Sequence, residues 1–274
     1  MTGTDRYAVM GDPVAHSKSP RIHALFAAQT GQRLEYTAER VASGTLAQAL
    51  AAFAAAGGRG CNVTVPLKQE AWALAAPRTP RAELAGAVNT LRRDRADGWW
   101  GDNTDGIGLV RDLVDNLGEA LAGRALLVLG AGGAVRGILG PLLEAGPSRL
   151  LLVNRTAARA QALAAHFAAL GPVQAGGFEL LQQAACDVVI NGTAASLHGA
   201  ALPLPESLGV DGALAYDLMY AAEPTPFLRW AAAHGARRCA DGLGMLVEQA
   251  AEAFALWRGV RPQTAPVIAE LRQG

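Results

Sequence analysis

Two of the 24 lysine and arginine side chains in this chain are lysines, Lys18 and Lys68. The scarcity matters because the two residue types do different chemistry. A guanidinium does not deprotonate near neutral pH, whereas an ammonium with a lowered pKa can hand its proton to a reacting group. Lys68 closes the stretch CNVTVPLK (61–68), in which apolar and polar residues alternate up to Pro66. An ammonium just past a half-buried strand suits a donor that protonates an alkoxide as hydride arrives. The competing reading is a solvated lysine on the first turn of a helix. Lys18 lies in GDPVAHSKSPRIH (11–23), where Ser17 and Ser19 make a hydroxyl-rich loop running into a helix start. That arrangement suits an anion such as a carboxylate. Ser19 alone would account for an N-cap; Ser17 would not be needed for it. Asn89, after AGAV, and Asp105, in DNTDG, also fall at element ends, where a turn or cap role competes with a chemical one.

A second group of residues has the spacing of a dinucleotide site. VLGAGGAVRG (128–137) lies between an apolar strand and a helix. Gly130 permits the sharp turn, Gly132 lets backbone amides approach a pyrophosphate, and the helix N-terminus adds partial positive charge. The third fingerprint position is Val135 rather than Gly or Ala, which predicts wider helix–strand packing. An ordinary strand-to-helix turn is the alternative. An NAD-specific site would carry an acidic residue at the end of the next strand, to bind a ribose hydroxyl. Here the strand ends in NRTAAR (154–159). Arg155 and Arg159 are four residues apart, Thr156 is placed to cap a helix and offer its hydroxyl, and no carboxylate is present to repel a 2′-phosphate. Planar guanidiniums suit a phosphate monoester, so the pattern favours NADP(H) over two solvated surface arginines.

These residues need elements to position them. The patterns predict strands at 7–11, 34–41 and 61–65, helices at 19–31 and 45–56, and one or two helices up to about residue 87. Ser19 is the expected N-cap of the first helix, with Pro20 at its first position and Gly31 as its stop. A β-ribbon is expected from AVNTLRRD against GWWGDN, turning near Asp97-Gly98, with a helix after Asp105. From about residue 124 the order tightens into strand RALLVLG, helix 133–145 with Pro141 as a kink, and strands RLLLVN, PVQA, CDVVIN, ALAYDLM and RRCA. Strands alternating with helices point to parallel sheets. The final helix is LGMLVEQAAEAFALWRG.

The 274 residues are comfortable for two domains, and 51% apolar with 18% charged composition supports sizeable cores. Zero formal net charge removes any global electrostatic case for nucleic acid or an anionic membrane. Cys61, Cys186 and Cys239 are odd in number and far apart, which fits free thiols in a reducing compartment. The histidines form no HExxH and no Cys/His cluster, so no metal is expected. The sequence MTGTDRYAVMGD has no signal-peptide apolar region, and no apolar run reaches membrane-spanning length. A cytoplasmic location is the expectation. The Ala-rich segment 45–58 reads as a packed helix.

Taken together, GDPVAHSKSPRIH, NVTVPLK, AGAVNT, DNTDG, GAGGAVRG, NRT and DGLGMLVEQAA resemble the shikimate dehydrogenase family, NADP-dependent oxidoreductases of aromatic amino acid and chorismate biosynthesis. The motifs fall in the family's order and span residues 7 to 257. The resemblance implies reversible reduction of 3-dehydroshikimate to shikimate. It implies that Lys68 and Asp105 form the catalytic pair. Ser17 and Ser19 would bind the substrate carboxylate, and Asn62, Thr64, Asn89 and Gln249 the ring hydroxyls. Tyr220 would reach the substrate from the cofactor domain. Gly130, Ala131, Gly132, Gly133, Ala134, Asn154, Arg155, Thr156 and Arg159 would hold NADP(H), with Met219 and Gly242 lining the nicotinamide pocket and Thr193 in a motif beside the cofactor. The serine-rich part of the motif around Thr193 is altered here. The implied fold is α/β with two domains. Residues 1–105 plus 242–274 would be an α/β substrate domain and 106–241 a Rossmann-like NADP domain, bridged by long helices near Asp105 and Leu243. A homodimer is the family's expectation, with small molecules as partners. Other readings stay open: a quinate/shikimate dehydrogenase preferring NAD, an aminoshikimate-type enzyme, and an NADPH-binding regulator without turnover.

Overall fold

A computed structural model describes residues 4–93, 98–193, 195 and 201–273. The chain divides into two compact units, Met1–Gly108 with Leu246–Gly274, and Leu109–Met245.

The first unit is built on a five-stranded sheet in the order β2-β1-β3-β4-β5, from β1 (Asp5–Gly11), β2 (Leu34–Arg40), β3 (Gly58–Val63), β4 (Thr90–Arg93) and β5 (Trp99–Asp102). The first three strands are parallel, and β4 and β5 join as the expected antiparallel ribbon. Asp97 of its anticipated turn lies outside the described residues. Strand β3 differs from its expected span. It starts at Gly58, where pairing with β1 begins, and ends at Val63. Beyond Val63 the Thr64 amide and the Val65 carbonyl still bond Met10 O and the Asp12 amide, and the Thr64 carbonyl accepts the Leu67 amide, so the chain turns through Pro66, which has no N–H to carry the ladder further.

Helices α1 (Ser19–Thr30), α2 (Leu46–Ala55), α3 (Lys68–Leu74) and α4 (Pro80–Ala85) connect the strands. The Ala-rich α2 buries Leu46, Leu50 and Phe53 in a core with Met10, Val63, Leu67 and Leu91, which is the packed role its pattern predicts. Gly31 ends α1 in the left-handed conformation, φ 65°. Ser19 is not the N-cap of α1. It is the first helical residue; Lys18 occupies the cap position without a side-chain bond, and Ser17 Oγ accepts the Ser19 amide at 3.2 Å. The capping hydroxyl comes from one position further upstream, so Ser17, not Ser19, has the ordinary structural explanation.

The second unit carries a six-stranded sheet in the order β11-β10-β9-β6-β7-β8, all pairs parallel. Its strands are β6 (Ala125–Leu129), β7 (Arg149–Val153), β8 (Val173–Gly176), β9 (Val188–Asn191), β10 (Leu214–Asp217) and β11 (Arg238–Asp241). This is the doubly wound order with its switch between β6 and β9, the place where such sheets bind ligands at strand carboxyl ends. Strands β9 and β10 are buried throughout, as continuous apolar runs in a covered parallel sheet should be. Helices α6 (Gly133–Glu144, with Pro141 in its last turn), α7 (Ala157–His166) and α8 (Pro226–Ala233) connect them.

The unit boundaries fall inside α5 (Asp105–Arg111) and α9 (Leu243–Arg258). Helix α5 continues into a π-helical turn, Asp112–Asn116. There Asp112 Oδ2 accepts the Tyr216 hydroxyl at 2.7 Å, and the same phenol oxygen accepts the Met245 amide at 3.3 Å. A last helix, α10 (Ala265–Gln273), was not expected from the sequence; only Val267 and Leu271 are buried on it, too sparse a stripe to announce it.

Candidate functional site

In the first unit, three strand ends and two helix starts place a chain of polar side chains in contact. Lys68 is the first residue of α3 and Asp105 the first of α5. Lys68 Nζ donates to Asp105 Oδ2 at 2.5 Å, with the lysine side chain 26% exposed and the carboxylate 10%. Asp105 Oδ1 accepts from Asn89 Nδ2 at 2.8 Å. Both carboxylate oxygens are therefore occupied by donors, one of them charged, which fixes the carboxylate plane.

Asn89 precedes β4 and is 3% exposed. Its Oδ1 accepts the Thr104 amide and the Thr90 hydroxyl at 2.9 Å each, while Nδ2 also reaches Thr104 Oγ1 at 3.0 Å and Gln249 Oε1 at 3.4 Å. Gln249 Oε1 in turn accepts from Thr104 Oγ1 at 3.3 Å. Asn62 lies opposite Thr90 in the β3–β4 register. Its Nδ2 donates to Asn89 O at 3.2 Å and Thr90 Oγ1 at 3.1 Å, and its Oδ1 accepts the Tyr36 hydroxyl at 2.7 Å. Both amide hydrogens of Asn62 are thus used, leaving an oxygen lone pair that can receive a ligand hydroxyl. Five of the residues singled out by sequence (Lys68, Asp105, Asn89, Asn62 and Gln249) belong to one network.

Ser17 and Thr64 stand outside that network, whereas Ser19 adjoins it at Tyr36. Ser19 is 6% exposed and its side chain neighbours the Tyr36 phenol. The Thr64 methyl group packs beside Gly11, and the Thr64 amide donates to Met10 O at 2.9 Å. Sequence reasoning did not single out Tyr36, Thr90, Thr104 or His23. Thr90 and Thr104 were inside the quoted AGAVNT and DNTDG segments. Tyr36 had no signal, since it sits in an alternating strand that looks like any edge strand. His23 is fully buried and stacks on Tyr36, with ring centroids 4.1 Å apart and 6° between planes. Burial holds its imidazole neutral, with the pKa down at about 3; the nearby Asn62 amide favours the charged form slightly, without reaching hydrogen-bond geometry with either ring nitrogen. Burial likewise pushes the Tyr36 phenol well above its usual value.

The second unit carries the glycine turn. Gly130 follows β6 with φ +109°, and a Cβ there would stand 3.0 Å from the Gly192 carbonyl and 3.2 Å from the Thr193 nitrogen. No L side chain fits either constraint. Gly132, Gly133 and Ala134 open α6 and are exposed, and a Cβ on either glycine would meet nothing within 4 Å. The backbone amides of this helix start are accessible to a phosphate group. Val135, at the third fingerprint position, packs towards the loop that follows β9. It is fully buried, and the place where a Cβ of Gly192 would project is 2.4 Å from Val135 Cγ2. The extra volume at the fingerprint position is accommodated by the absence of a side chain at Gly192 on the neighbouring loop.

At the end of β7, Arg155 and Arg159 are exposed. Thr156 is the N-cap of α7 by position, but its hydroxyl makes no cap bond; Asn154 Nδ2 instead donates to Thr156 O at 3.0 Å and closes the loop. Thr193 donates to Asn191 Oδ1 from both its amide, at 3.1 Å, and its hydroxyl, at 2.8 Å. Ala194 and Ser196, in the altered motif, lie outside the described residues. The Gly242 amide donates to Met219 O at 3.0 Å, bringing the loops after β10 and β11 together. Tyr220 is partly buried, and desolvation raises its phenol pKa. The residues at these strand ends fit a dinucleotide carrying an extra phosphate.

Residues 9–91 match the model of the shikimate dehydrogenase substrate binding domain, 112–199 that of shikimate / quinate 5-dehydrogenase, and 242–272 that of the shikimate 5′-dehydrogenase C-terminal domain. A shikimate dehydrogenase (NADP(+)) of Methylococcus capsulatus is 60% identical over 99% of this chain and 97% of its own. One of Alkalilimnicola ehrlichii is 58% identical over 98% of this chain and 99% of its own. The solved structure of shikimate 5-dehydrogenase from Thermus thermophilus, in complex with NADP(H) and shikimate, is 36% identical, covers 98% of this chain and 99% of its own, and superposes with a TM-score of 0.88. With a two-domain α/β fold, a parallel Rossmann-like sheet and these matches along its length, the chain belongs to the shikimate dehydrogenase family.

Proposed function

We propose that Lys68 and Asp105 are the catalytic pair through which this chain carries out the family's NADP-dependent interconversion of 3-dehydroshikimate and shikimate, a step of the shikimate pathway. The observation that carries the assignment is the 2.5 Å Lys68–Asp105 contact, tied through Asn89 to the rest of the buried polar network. NADPH, when bound, supplies the hydride. The Lys68 ammonium stabilises negative charge growing on the C3 oxygen and donates a proton from Nζ. Asp105 keeps Nζ aimed and accepts from the neighbouring hydroxyl. Preorganised donors at the site of developing charge are effective because they need no rearrangement during the reaction.

The remaining roles follow the chemistry of the groups. Ser17 and Ser19, at the α1 N-terminus, bind the substrate carboxylate. Asn62 accepts from a ring hydroxyl with its spare lone pair, and Thr64, Asn89 and Gln249 complete the contacts to the ring, with Tyr220 reaching it from the cofactor-binding residues. The glycine turn and the α6 amides hold the pyrophosphate, Arg155 and Arg159 the 2′-phosphate, and Thr193, Met219 and Gly242 border the nicotinamide. In this reading residues 1–105 with 242–274 serve the substrate and 106–241 the cofactor. A cytoplasmic location and a homodimer belong to the same proposal, and sedimentation equilibrium tests the dimer.

The experiment is an absorbance assay for NADPH formation from shikimate and NADP⁺, repeated with quinate and with NAD⁺. Turnover with shikimate and NADP⁺ exceeding the other pairs is expected. Better turnover with quinate and NAD⁺ would transfer the chain to the quinate-oxidising branch, and no turnover with any pair would remove the catalytic reading.

A further inference from the structure

The carboxylate of Asp217, at the last residue of β10, is fully buried and receives three donors, one from the end of β9 and two from the connection between β10 and α8. Its Oδ1 accepts the Met219 amide at 3.0 Å. Its Oδ2 accepts Asn191 Nδ2 at 3.2 Å and the Thr225 hydroxyl at 2.6 Å. Asp217 and Asn191 are register partners in β10 and β9, and Asn191 Oδ1 holds both the amide and the hydroxyl of Thr193. Thr225, for its part, caps α8 by accepting the Leu228 amide at 3.3 Å. One carboxylate therefore fixes Met219 directly, Thr193 through Asn191, and the start of α8.

The strand order says what those loops face. Along β7-β6-β9-β10 the carboxyl ends carry Arg155 and Arg159, then the glycine turn, then Thr193, then Met219. A Cβ on Gly130 would stand 3.0 Å from the Gly192 carbonyl, so the turn and the β9 loop lie side by side. A dinucleotide with its adenosine phosphate at the β7 end and its pyrophosphate at the β6 turn has only the β9 and β10 loops left for its other half. We propose that Asp217 is a positioning residue that holds the β9 and β10 loops in the conformation required by the nicotinamide half of the cofactor. This rests on the reading of the unit as an NADP(H) site.

An asparagine at this position keeps the size and turns an acceptor into a donor. One of the three incoming donors then faces an N–H, and a loop must move. Fluorescence titration of the full chain with NADPH and with adenosine 2′,5′-bisphosphate reads the two halves of the site separately. Asp217→Asn should raise the Kd for NADPH about tenfold, while the bisphosphate Kd stays within about twofold. Equal weakening of both ligands indicates general loosening and overturns the proposal, as does unchanged NADPH binding. If a melting scan shows Asp217→Asn unfolded, Asn191→Ala carries the same test with the same outcomes, because it cuts the link from Asp217 to Thr193. Arg155→Ala separates this from the cofactor reading. It should weaken both ligands, and if it weakens neither, the NADP(H) assignment fails together with the role of Asp217.

Discussion

Lys68 Nζ and Asp105 Oδ2 meet at 2.5 Å although 37 positions separate them in the chain. Each is the first residue of a helix, and the intervening Asn89 anchors the carboxylate from its other oxygen. The contact sets the direction of Lys68 Nζ, the group proposed as proton donor, before any substrate arrives.

Lys68→Ala should lower kcat by roughly 10²–10⁴, or about 3–5 kcal/mol of barrier, with a much smaller change in KM. Lys68→Arg should not restore turnover, since the guanidinium keeps its proton. Steady-state kinetics of the two variants check this; an arginine enzyme with near wild-type kcat would rule out proton donation.

Ser17→Ala and Ser19→Ala should mainly raise KM for shikimate, because the carboxylate they are proposed to hold is remote from the reacting carbon. The two differ in stability. Ser17 Oγ accepts the Ser19 amide at the start of α1, so its loss should also cost about 1 kcal/mol of folding stability. Denaturant melts read that difference, and a loss confined to kcat in either variant contradicts the assignment.

Arg155→Ala with Arg159→Ala should raise KM for NADP⁺ by about tenfold or more and leave KM for NAD⁺ nearly unchanged, because only the former carries the 2′-phosphate. The penalty should shrink as salt is raised. Parallel titrations with the two cofactors decide it, and equal losses for both would place the guanidiniums elsewhere.

His23 makes stability depend on acid. Its folded pKa is depressed to about 3 from 6.5. Between those values the unfolded chain binds a proton that the native state refuses, so stability rises with pH and is lost as pH falls from about 6.5 towards 3. The slope from this one group approaches ~1.4 kcal/mol per pH unit. His23→Phe preserves a ring against Tyr36 and removes the titration. Urea melts from pH 4 to 7 should therefore show a shallower slope by about one proton; an unchanged slope would mean that His23 takes up its proton in the native state.

The amino-acid sequence by itself determined the local chemistry. Lysine at 68 among arginines, glycine at 130, guanidiniums at 155 and 159, and the order of strands were legible because each depends on a residue type or a short-range period. The ends of elements were less so. The helix start at Ser19 and the turn that follows Val63 were settled by local hydrogen bonds that residue type alone does not reveal, from the Ser19 amide to Ser17 Oγ and from the Leu67 amide to the Thr64 carbonyl. Only tertiary structure decided that Tyr36 and His23 support Asn62, that Gly192 makes room for Val135, and that Asp217 ties the end of β9 to the connection between β10 and α8. Those are contacts between strands and loops far apart in sequence. Period and propensity describe one segment at a time, whereas register and close packing come into being only when two segments meet.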